Sequence, residues 1–396
     1  MDTTQETAND RTKIYVNGQQ ITGFDTITNN SQNTDGRFNI NAEHGIGRSS
    51  TAFDGYMADI YFVDGQALTP TSFAETDSTY GHWKPKAWSG TYGTNGFHLQ
   101  FEDSSSIGND TSGNNNDWTP ANLSAYDVMA GGSFDVGSGG NTFATMNPLY
   151  RNQTRTNIAT YKEGNLKVGW NTDAMCESTI GVYEGKWYYE VVSDASAGNH
   201  DCMHGIGASP VWGGDCPGCN SYGISMHANG NWTGETGGDT SGATMGNGDI
   251  IGIAFDLDNN KIWQSKNGTW TGTPASNTNG ASFGDDVKSL NNVVAASRVS
   301  NAGTQWSTYN FGQDSSFAGT KTAQGNQDSN GIGDFYYTPP SGFLAMCTKN
   351  LPTPTIADPQ LHHNTHLYSG NDASSQAVTG VGFAPDFVWI SPRLHS

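Results

Sequence analysis

The sequence predicts an all-β protein of antiparallel β-sandwiches in tandem, and three observations support this fold class. Only 34% of the 396 residues are hydrophobic and 14% are charged, whereas glycine alone contributes 51 residues. Aromatic residues still reach 11%, which is typical of short packed strands rather than of a disordered polar chain. Apolar and polar side chains alternate over short runs that end in Asn-Gly or Asp-Gly turns. Because runs rich in Ala, Leu, Glu and Lys are missing, we expect less than about 10% helix.

Hairpin signals begin close to the N-terminus. Asn17-Gly18 separates two strand-like halves within residues 13–21, and this dipeptide is the strongest short signal for a hairpin. A second alternating run follows and ends in a turn at Asp64-Gly65. Its alternating side chains belong to Tyr56, Ala58, Ile60 and Phe62. We expect residues 1–80 to be part of a sandwich whose first half is absent, so that the chain is a piece of a longer protein.

Three further segments complete the predicted organisation. Residues 81–150 form a connecting region, and the Gly/Ser-rich stretch 130–140 is its best linker candidate. Residues 151–350 have the highest density of strand patterns. Residues 351–396 begin with a Pro-punctuated linker and end in the apolar run 387–390, which we interpret as the start of a further β domain.

Two runs within residues 151–350 predict which side chains face a core. Trp187, Tyr189 and Val191 alternate along the first run and share one face of a strand. The second run contains the two turns Asn259-Asn260 and Asn267-Gly268, which predict an antiparallel meander. Its core-facing side chains are Ile251, Ile253, Phe255 and Leu257.

These motifs, taken in order, resemble a SPRY domain over residues 155–348. The motifs are Gly185-Lys-Trp-Tyr-Tyr-Glu-Val191, Tyr222-Gly-Ile224, Gly248-Asp-Ile-Ile-Gly-Ile-Ala-Phe-Asp256, Ser265-Lys-Asn-Gly268, Asn310-Phe-Gly-Gln313 and Pro339-Pro-Ser-Gly-Phe343. The resemblance is specific as a set, although no single motif would establish it. It implies a complete β-sandwich whose variable loops, rather than its strands, contact a ligand.

The N-terminal part is similar to the last strands of a concanavalin A-like, laminin-G type sandwich with jelly-roll topology. The motifs that carry this similarity are Lys13-Ile-Tyr-Val-Asn-Gly18, His44-Gly-Ile-Gly47, Phe53-Asp-Gly-Tyr-Met-Ala-Asp-Ile60, Val63-Asp-Gly65 and Ala67-Leu-Thr-Pro-Thr-Ser-Phe73. The tandem order resembles bacteriophage tail-fibre and other structural proteins. The resemblance implies a virion or extracellular location and, within a fibre, a homotrimer.

Charge and hydropathy exclude several classes of partner. With 18 basic and 38 acidic residues the formal net charge is −20, which argues against nucleic acids and anionic membranes because both require cationic surface. No apolar run reaches the 18 residues of a membrane span, and the N-terminus has no signal-peptide pattern. The acidic surface also disfavours sulfated or sialylated glycans unless a cation bridges them.

Two residue clusters could hold a metal ion. Cys202, His204, Cys216 and Cys219 combine thiolate and imidazole ligands at spacings that suit zinc. The alternatives are free thiols in a loop, or one disulfide such as Cys202 to Cys216 or Cys202 to Cys219. Oxygen ligands for calcium could come from Asp103, Asn109, Asp110 and Asp117. The alternative is that these residues form a solvated Asn/Asp turn cluster. No other cofactor is indicated.

Catalytic patterns are incomplete. Asp59 and Asp64 occupy the one strand comparable to that of a glucanase, but their odd spacing directs them to opposite faces, whereas retaining glycosidases need two close carboxyl groups. Residues 181–186 are one residue short of a phosphate-binding loop, and Trp187 replaces the Ser or Thr that would hold magnesium. The pattern predicts no enzyme.

Aromatic residues in predicted loops are the remaining functional signal. A glycan binds through stacking on aromatic rings and through hydrogen bonds to its hydroxyls. The loop candidates are Trp212, Asp215, His227, Asn229, Trp232 and Trp270. The alternative for each Trp is that it closes the end of the sandwich. Trp212 and Trp232 are the strongest candidates because turn-forming residues surround both.

The sequence therefore predicts a non-enzymatic recognition or adhesion module that binds a bacterial surface glycan or protein. One alternative is a purely structural spacer of a virion. A remote alternative is a glycan hydrolase.

Overall fold

The protein is described by a computed structural model. The described residues are 1–34, 36, 38–47, 53, 55, 57–77, 83–103, 105–123, 128, 141–150, 159–170, 174–193, 202–210, 216–234, 236, 241–299, 305–353, 356, 361–370 and 375–391. Over these residues the regular structure is β, with short 3-10 turns and no α-helix. No helix among the described residues has the length and apolar character needed to cross a membrane.

Short strands precede the main sandwich. They are β1 (Tyr15–Val16), β2 (Gln19–Gln20), β3 (Ile60–Phe62), β4 (Ala74–Thr76), β5 (Trp83–Pro85) and β6 (Phe97–Leu99). They form three antiparallel pairs: β1 with β2, β4 with β5, and β3 with β6.

The strands of the main sandwich follow. They are β7 (Thr160–Lys162), β8 (Lys167–Trp170), β9 (Ala174–Glu177), β10 (Lys186–Ser193), β11 (Met203–Ala208), β12 (Gly223–His227), β13 (Trp232–Thr233), β14 (Asp249–Asp256), β15 (Lys261–Lys266), β16 (Thr269–Trp270), β17 (Ala281–Ser282), β18 (Val293–Val299), β19 (Gln305–Asn310) and β20 (Leu344–Ala345).

Two sheets divide these strands. The larger sheet runs β16-β15-β14-β10-β19-β8-β7, with β17 paired to β15 and β20 paired to β10. The smaller sheet runs β13-β12-β11-β18-β9. All pairings are antiparallel except the short parallel contact between β10 and β20. The architecture confirms the predicted all-β antiparallel fold class.

The core lies between the two sheets, and the predicted faces fill it. Trp187, Tyr189 and Val191 point into this core from β10. Ile251, Ile253 and Phe255 do the same from β14, as the period-2 pattern predicts. The smaller sheet contributes Cys176, Ile206, Ile224, Met226 and Ala295.

The opposite face of the larger sheet is covered along β10, β14 and β15. Tyr188, Ala254 and Trp263 form a second buried cluster there with Phe335 and Phe343. The chain after β19 therefore folds back over the sheet, which is why both faces of β10 are buried. A strand buried on both faces reads as a continuous apolar run.

The predicted turns are present. Asn17-Gly18 joins β1 to β2 with both residues at positive φ, at 49° and 77°, and Asn267-Gly268 joins β15 to β16 with φ of 48° and 80°. These values fit the two-residue hairpin turn that Asn-Gly favours. The segment Asp256–Asn260 is a tight turn between β14 and β15, in which the Asp256 carboxylate accepts from the backbone N–H groups of Asp258 and Asn259.

The chain divides into two compact units. One unit contains Met1–Ser50, Val63–Gly96 and Pro352–Ser396, and the other contains Thr51–Phe62 and Phe97–Leu351. In the first unit, no described apolar side chain is buried, and Phe387 and Trp389 are 79% and 83% exposed. The second unit holds all four buried apolar clusters. The partial concanavalin A-like sandwich at 1–80 stays a prediction.

This difference in burial predicts how fragments behave. Residues 141–351 should unfold in one cooperative transition, because they contain the sandwich core. Residues 1–80 should show no cooperative transition, because nothing apolar is buried among their described residues. Circular dichroism during urea titration, with size-exclusion chromatography, measures both. A monomeric 1–80 fragment with a sigmoidal transition would contradict this expectation.

Candidate functional site: the loop rim

Three loop segments meet at one end of the sandwich, and we call them the loop rim: residues 228–231, 241–249 and 267–268. The rim forms where β12 and β15 end and where β14 begins. Backbone bonds join its segments, because Gly242 N–H donates to Gly230 O at 2.8 Å and Met245 N–H donates to Ala228 O at 2.7 Å. Such bonds hold the loops in place before any ligand arrives.

The acidic side chain of Asp249 fixes the other half of the loop rim. Its carboxylate lies 2.8 Å from Lys266 Nζ and accepts from Asn267 Nδ2 at 2.7 Å and from Gly246 N–H at 2.7 Å. Partial burial works against ionisation, but these donors outweigh it and keep the pKa of Asp249 below its usual value. The turn at Asn267-Gly268 is thereby tied to the start of β14.

Three of the predicted ligand-binding residues lie together at the rim, with Asn229 inside it and His227 and Trp232 on either side of segment 228–231. His227 ends β12, Asn229 lies in the following turn, and Trp232 begins β13. The His227 ring contacts Thr233 Oγ1 through Nε2, and Asn229 Oδ1 accepts from Asn231 N–H at 3.0 Å. Trp232 is half-buried and packs against the core between the sheets, because it is paired with the inward-facing Met226. The sequence had indicated a more exposed ring.

The remaining predicted ligand-binding residues are not part of this group. Trp270 lies on the covered face of the larger sheet, where its ring centroid is 6.1 Å from that of Tyr188. It therefore helps to close the second cluster. Trp212 and Asp215 lie outside the described residues.

The cysteines do not form the cluster that the spacing indicated. Cys216 is bonded to Cys219, with their Cα atoms 5.1 Å apart, while Cys202 is a free buried thiol. The turn through Gly218, at φ 96°, brings the two sulfurs together. One disulfide was among the alternatives to zinc, and it joins Cys216 to Cys219 rather than pairing either of them with Cys202. Over the described residues, which include all four predicted ligands, no group of three or more His, Cys, Asp or Glu is arranged to hold a metal ion.

Cys202 and His204 instead form a buried pair at the start of β11, since Cys202 immediately precedes this strand and His204 lies in it. Cys202 Sγ lies 3.5 Å from His204 Nε2, and His204 Nδ1 lies 3.0 Å from Ser297 Oγ. A nucleophilic cysteine needs a depressed pKa. Burial raises the pKa of Cys202 to about 11 and lowers that of His204 to about 3, so both groups stay neutral. The pair acts as core packing with satisfied hydrogen bonds.

The predicted calcium residues form a turn cluster. Asp110 accepts from the N–H groups of His98, Ser112 and Asn116 at 2.8–2.9 Å, and Asp117 accepts from Asp110 N–H at 2.8 Å. Asp103 accepts from Ser105. Burial opposes ionisation of Asp110, yet these donors keep its pKa low. The arrangement corresponds to the Asn/Asp turn cluster that was the alternative to calcium.

Residues 326–343, which we call the cover segment, lie over the outer face of the larger sheet. A buried carboxylate that sequence reasoning missed holds this segment to the sheet. Glu190 on β10 accepts from Tyr188 Oη at 2.9 Å, Asn310 Nδ2 at 3.1 Å, and the backbone N–H groups of Tyr336 and Tyr337 at 2.9 and 2.8 Å. Burial nevertheless raises its pKa to about 7. The available signal was a charged residue in the middle of the otherwise apolar or aromatic run 187–192.

The fold and site define an antiparallel β-sandwich with ordered loops at one end. Comparison with known families then shows that residues 186–286 match the SPRY domain. SPRY domains are protein-interaction modules and not catalytic folds.

Two solved structures are similar to part of this chain. The SPRY domain of human HERC1 is 15% identical with a TM-score of 0.32, and the match covers 41% of this chain and 96% of that one. Another human SPRY domain is 15% identical with a TM-score of 0.29, covering 38% and 93%. No curated protein matches the chain.

The pH dependence of stability should show the buried Glu190. Because its folded pKa of about 7 lies above 4.5, its contribution is complete below pH 4.5 and is lost as the pH rises through about 7. His204, with a pKa lowered from 6.5 to about 3, contributes fully above pH 6.5 and loses that contribution as the pH falls towards 3. The two effects oppose each other.

In the Glu190→Gln variant, the loss of stability that His204 causes as the pH falls is therefore no longer offset by protonation of Glu190. We expect the free energy of unfolding of this variant to fall more steeply than that of the wild type between pH 8 and pH 5. Urea titrations at both pH values measure this difference. Glu184→Gln, which removes an exposed carboxylate just before the same strand, should keep the wild-type slope. Identical slopes for Glu190→Gln and wild type would show that Glu190 is not protonated in the fold.

Proposed function

We propose that this chain is a non-enzymatic adhesion module of a bacteriophage tail fibre, and that the loop rim of its SPRY domain binds a bacterial surface glycan or protein. The observation that supports this most directly is the division between strands and loops. Every residue of β11 and nearly every residue of β10 and β14 is buried, so the strand motifs leave little surface for a ligand. The rim offers polar groups on a backbone held by hydrogen bonds, and the aromatic Trp232 lies next to it.

The chemistry of the rim fits a hydroxylated or amide-bearing ligand. His227, Asn229 and Asn231 bring ring nitrogens and side-chain amides to one hairpin, and Trp232 adds an aromatic surface beside them. Loops already held by backbone bonds lose little conformational entropy on binding. The tail-fibre context rests on the sequence resemblance of the tandem arrangement.

Substitutions at the hairpin test this proposal. Trp232→Ala should weaken binding to bacterial cells or arrayed surface glycans by about 1 to 3 kcal/mol, as for a partly desolvated aromatic contact. Tyr183→Ala is the matched control, since Tyr183 is an aromatic residue 45% exposed near the opposite end of the sandwich, and it should bind like the wild type. Asn229→Ala should also weaken binding.

Stability measurements separate a binding role from a packing role. Trp263→Ala should cost about 3 to 5 kcal/mol of stability, because Trp263 is fully buried. Trp232→Ala should cost less, and the protein should remain folded at the temperature of the binding assay. Equal binding by wild type, Trp232→Ala and Asn229→Ala would exclude the rim as the site. A wild-type chain that binds no cell and no glycan would favour the structural spacer.

A further inference from the structure

Two lysines lie opposite each other on β7 and β8, the last two strands at one edge of the larger sheet. In the register of β7 and β8, Lys162 is directly opposite Lys167, and Lys167 is opposite Thr308 of β19. Like charges that lie directly opposite on neighbouring strands destabilise a sheet. Such a pair of basic residues is unexpected in a protein that has 38 acidic residues and only 18 basic ones.

Trp306 of β19 holds both ammonium groups over its ring. Lys162 Nζ lies 4.6 Å from the ring centroid and Lys167 Nζ lies 5.7 Å from it, distances at which the ring quadrupole attracts a cation. Trp306 is the cross-strand partner of Gly169. A Cβ at Gly169 would lie 2.5 Å from the ring, so the glycine lets the indole lie flat against β8.

Neither ammonium group is neutralised by a carboxylate among the described residues. Lys84, Lys186 and Lys266 each lie within 4.0 Å of an Asp carboxylate. Lys162 and Lys167 have no carboxylate within 4.0 Å among the described residues, although Glu163 follows Lys162 in the β7–β8 turn. The pair is thus a local cationic surface on an acidic protein.

We propose that Lys162, Lys167 and Trp306 form a second binding site, separate from the loop rim, for a carboxylated or sulfated glycan. The two ammonium groups would pair with the anionic substituents. The part of the half-buried indole that Gly169 and the two lysines leave exposed would contact the C–H groups of a sugar ring. At physiological salt the Debye length is about 8 Å, so an anion at this site responds to the two lysines more than to distant carboxylates. The net charge therefore does not exclude acidic glycans here.

The experiment uses the full chain and a matched pair of polymers, dextran sulfate and neutral dextran, with alginate as a carboxylated glycan. Dextran sulfate and alginate should bind in 0.15 M salt, and dextran should not. Lys162→Gln combined with Lys167→Gln should lower affinity about three- to tenfold, the effect of two exposed ion pairs. The control is Lys86→Gln combined with Lys349→Gln, which changes the net charge equally and should bind like the wild type.

Other variants separate this site from the loop rim and from charge alone. Trp306→Leu should also weaken binding, and thermal melting verifies that this variant is folded. Trp232→Ala should leave the affinity for dextran sulfate unchanged even where it abolishes binding to cells. The proposal is overturned if neither anionic glycan binds, if both double variants lose affinity equally, or if polyglutamate binds as tightly as the glycans.

Discussion

The larger sheet depends on one buried carboxylate. Glu190 lies on the covered face of β10 and receives four hydrogen bonds, two of them from the backbone of Tyr336 and Tyr337. Without this acceptor, those N–H groups would be left without a partner under the cover segment, at a cost of about 1 to 3 kcal/mol each. Asn310 extends the arrangement, because its amide donates to Glu190 and to Asp334 O while its Oδ1 accepts from Gly312 N–H.

The same device recurs in the loops that follow β19. Asp328 accepts from the N–H groups of Asn330, Ile332 and Ala345, while Asp334 accepts from Ser315 and from Gly325 N–H. A chain with so many turns has many backbone donors outside sheets, and short acidic side chains satisfy them locally. Part of the negative charge of this protein therefore lies on side chains that stabilise its loops. The two lysines beside Trp306 differ from this pattern, because no carboxylate among the described residues pairs with them.

Local patterns predicted the strands well because their causes are local. The alternation at Trp187, Tyr189 and Val191 and the turn at Asn267-Gly268 need only near neighbours in the chain. The two backbone donors to Glu190 lie 146 and 147 residues away, so no spacing rule reveals them. Trp232 was expected to be exposed from its turn-forming neighbours, but its pairing with Met226 turns it inwards. The cysteine spacing likewise could not show that Cys202 is buried at the start of β11.

The strands of the sandwich form the buried framework, and the Glu190 side chain holds residues 326–343 against the larger sheet. Amide hydrogen exchange on Glu190→Ala tests the anchoring most directly. The account predicts that protection falls at Tyr336 and Tyr337 and across residues 326–343, while β11, β12 and β18 keep theirs. Unchanged protection at these two tyrosines, or an equal loss across both sheets, would contradict it.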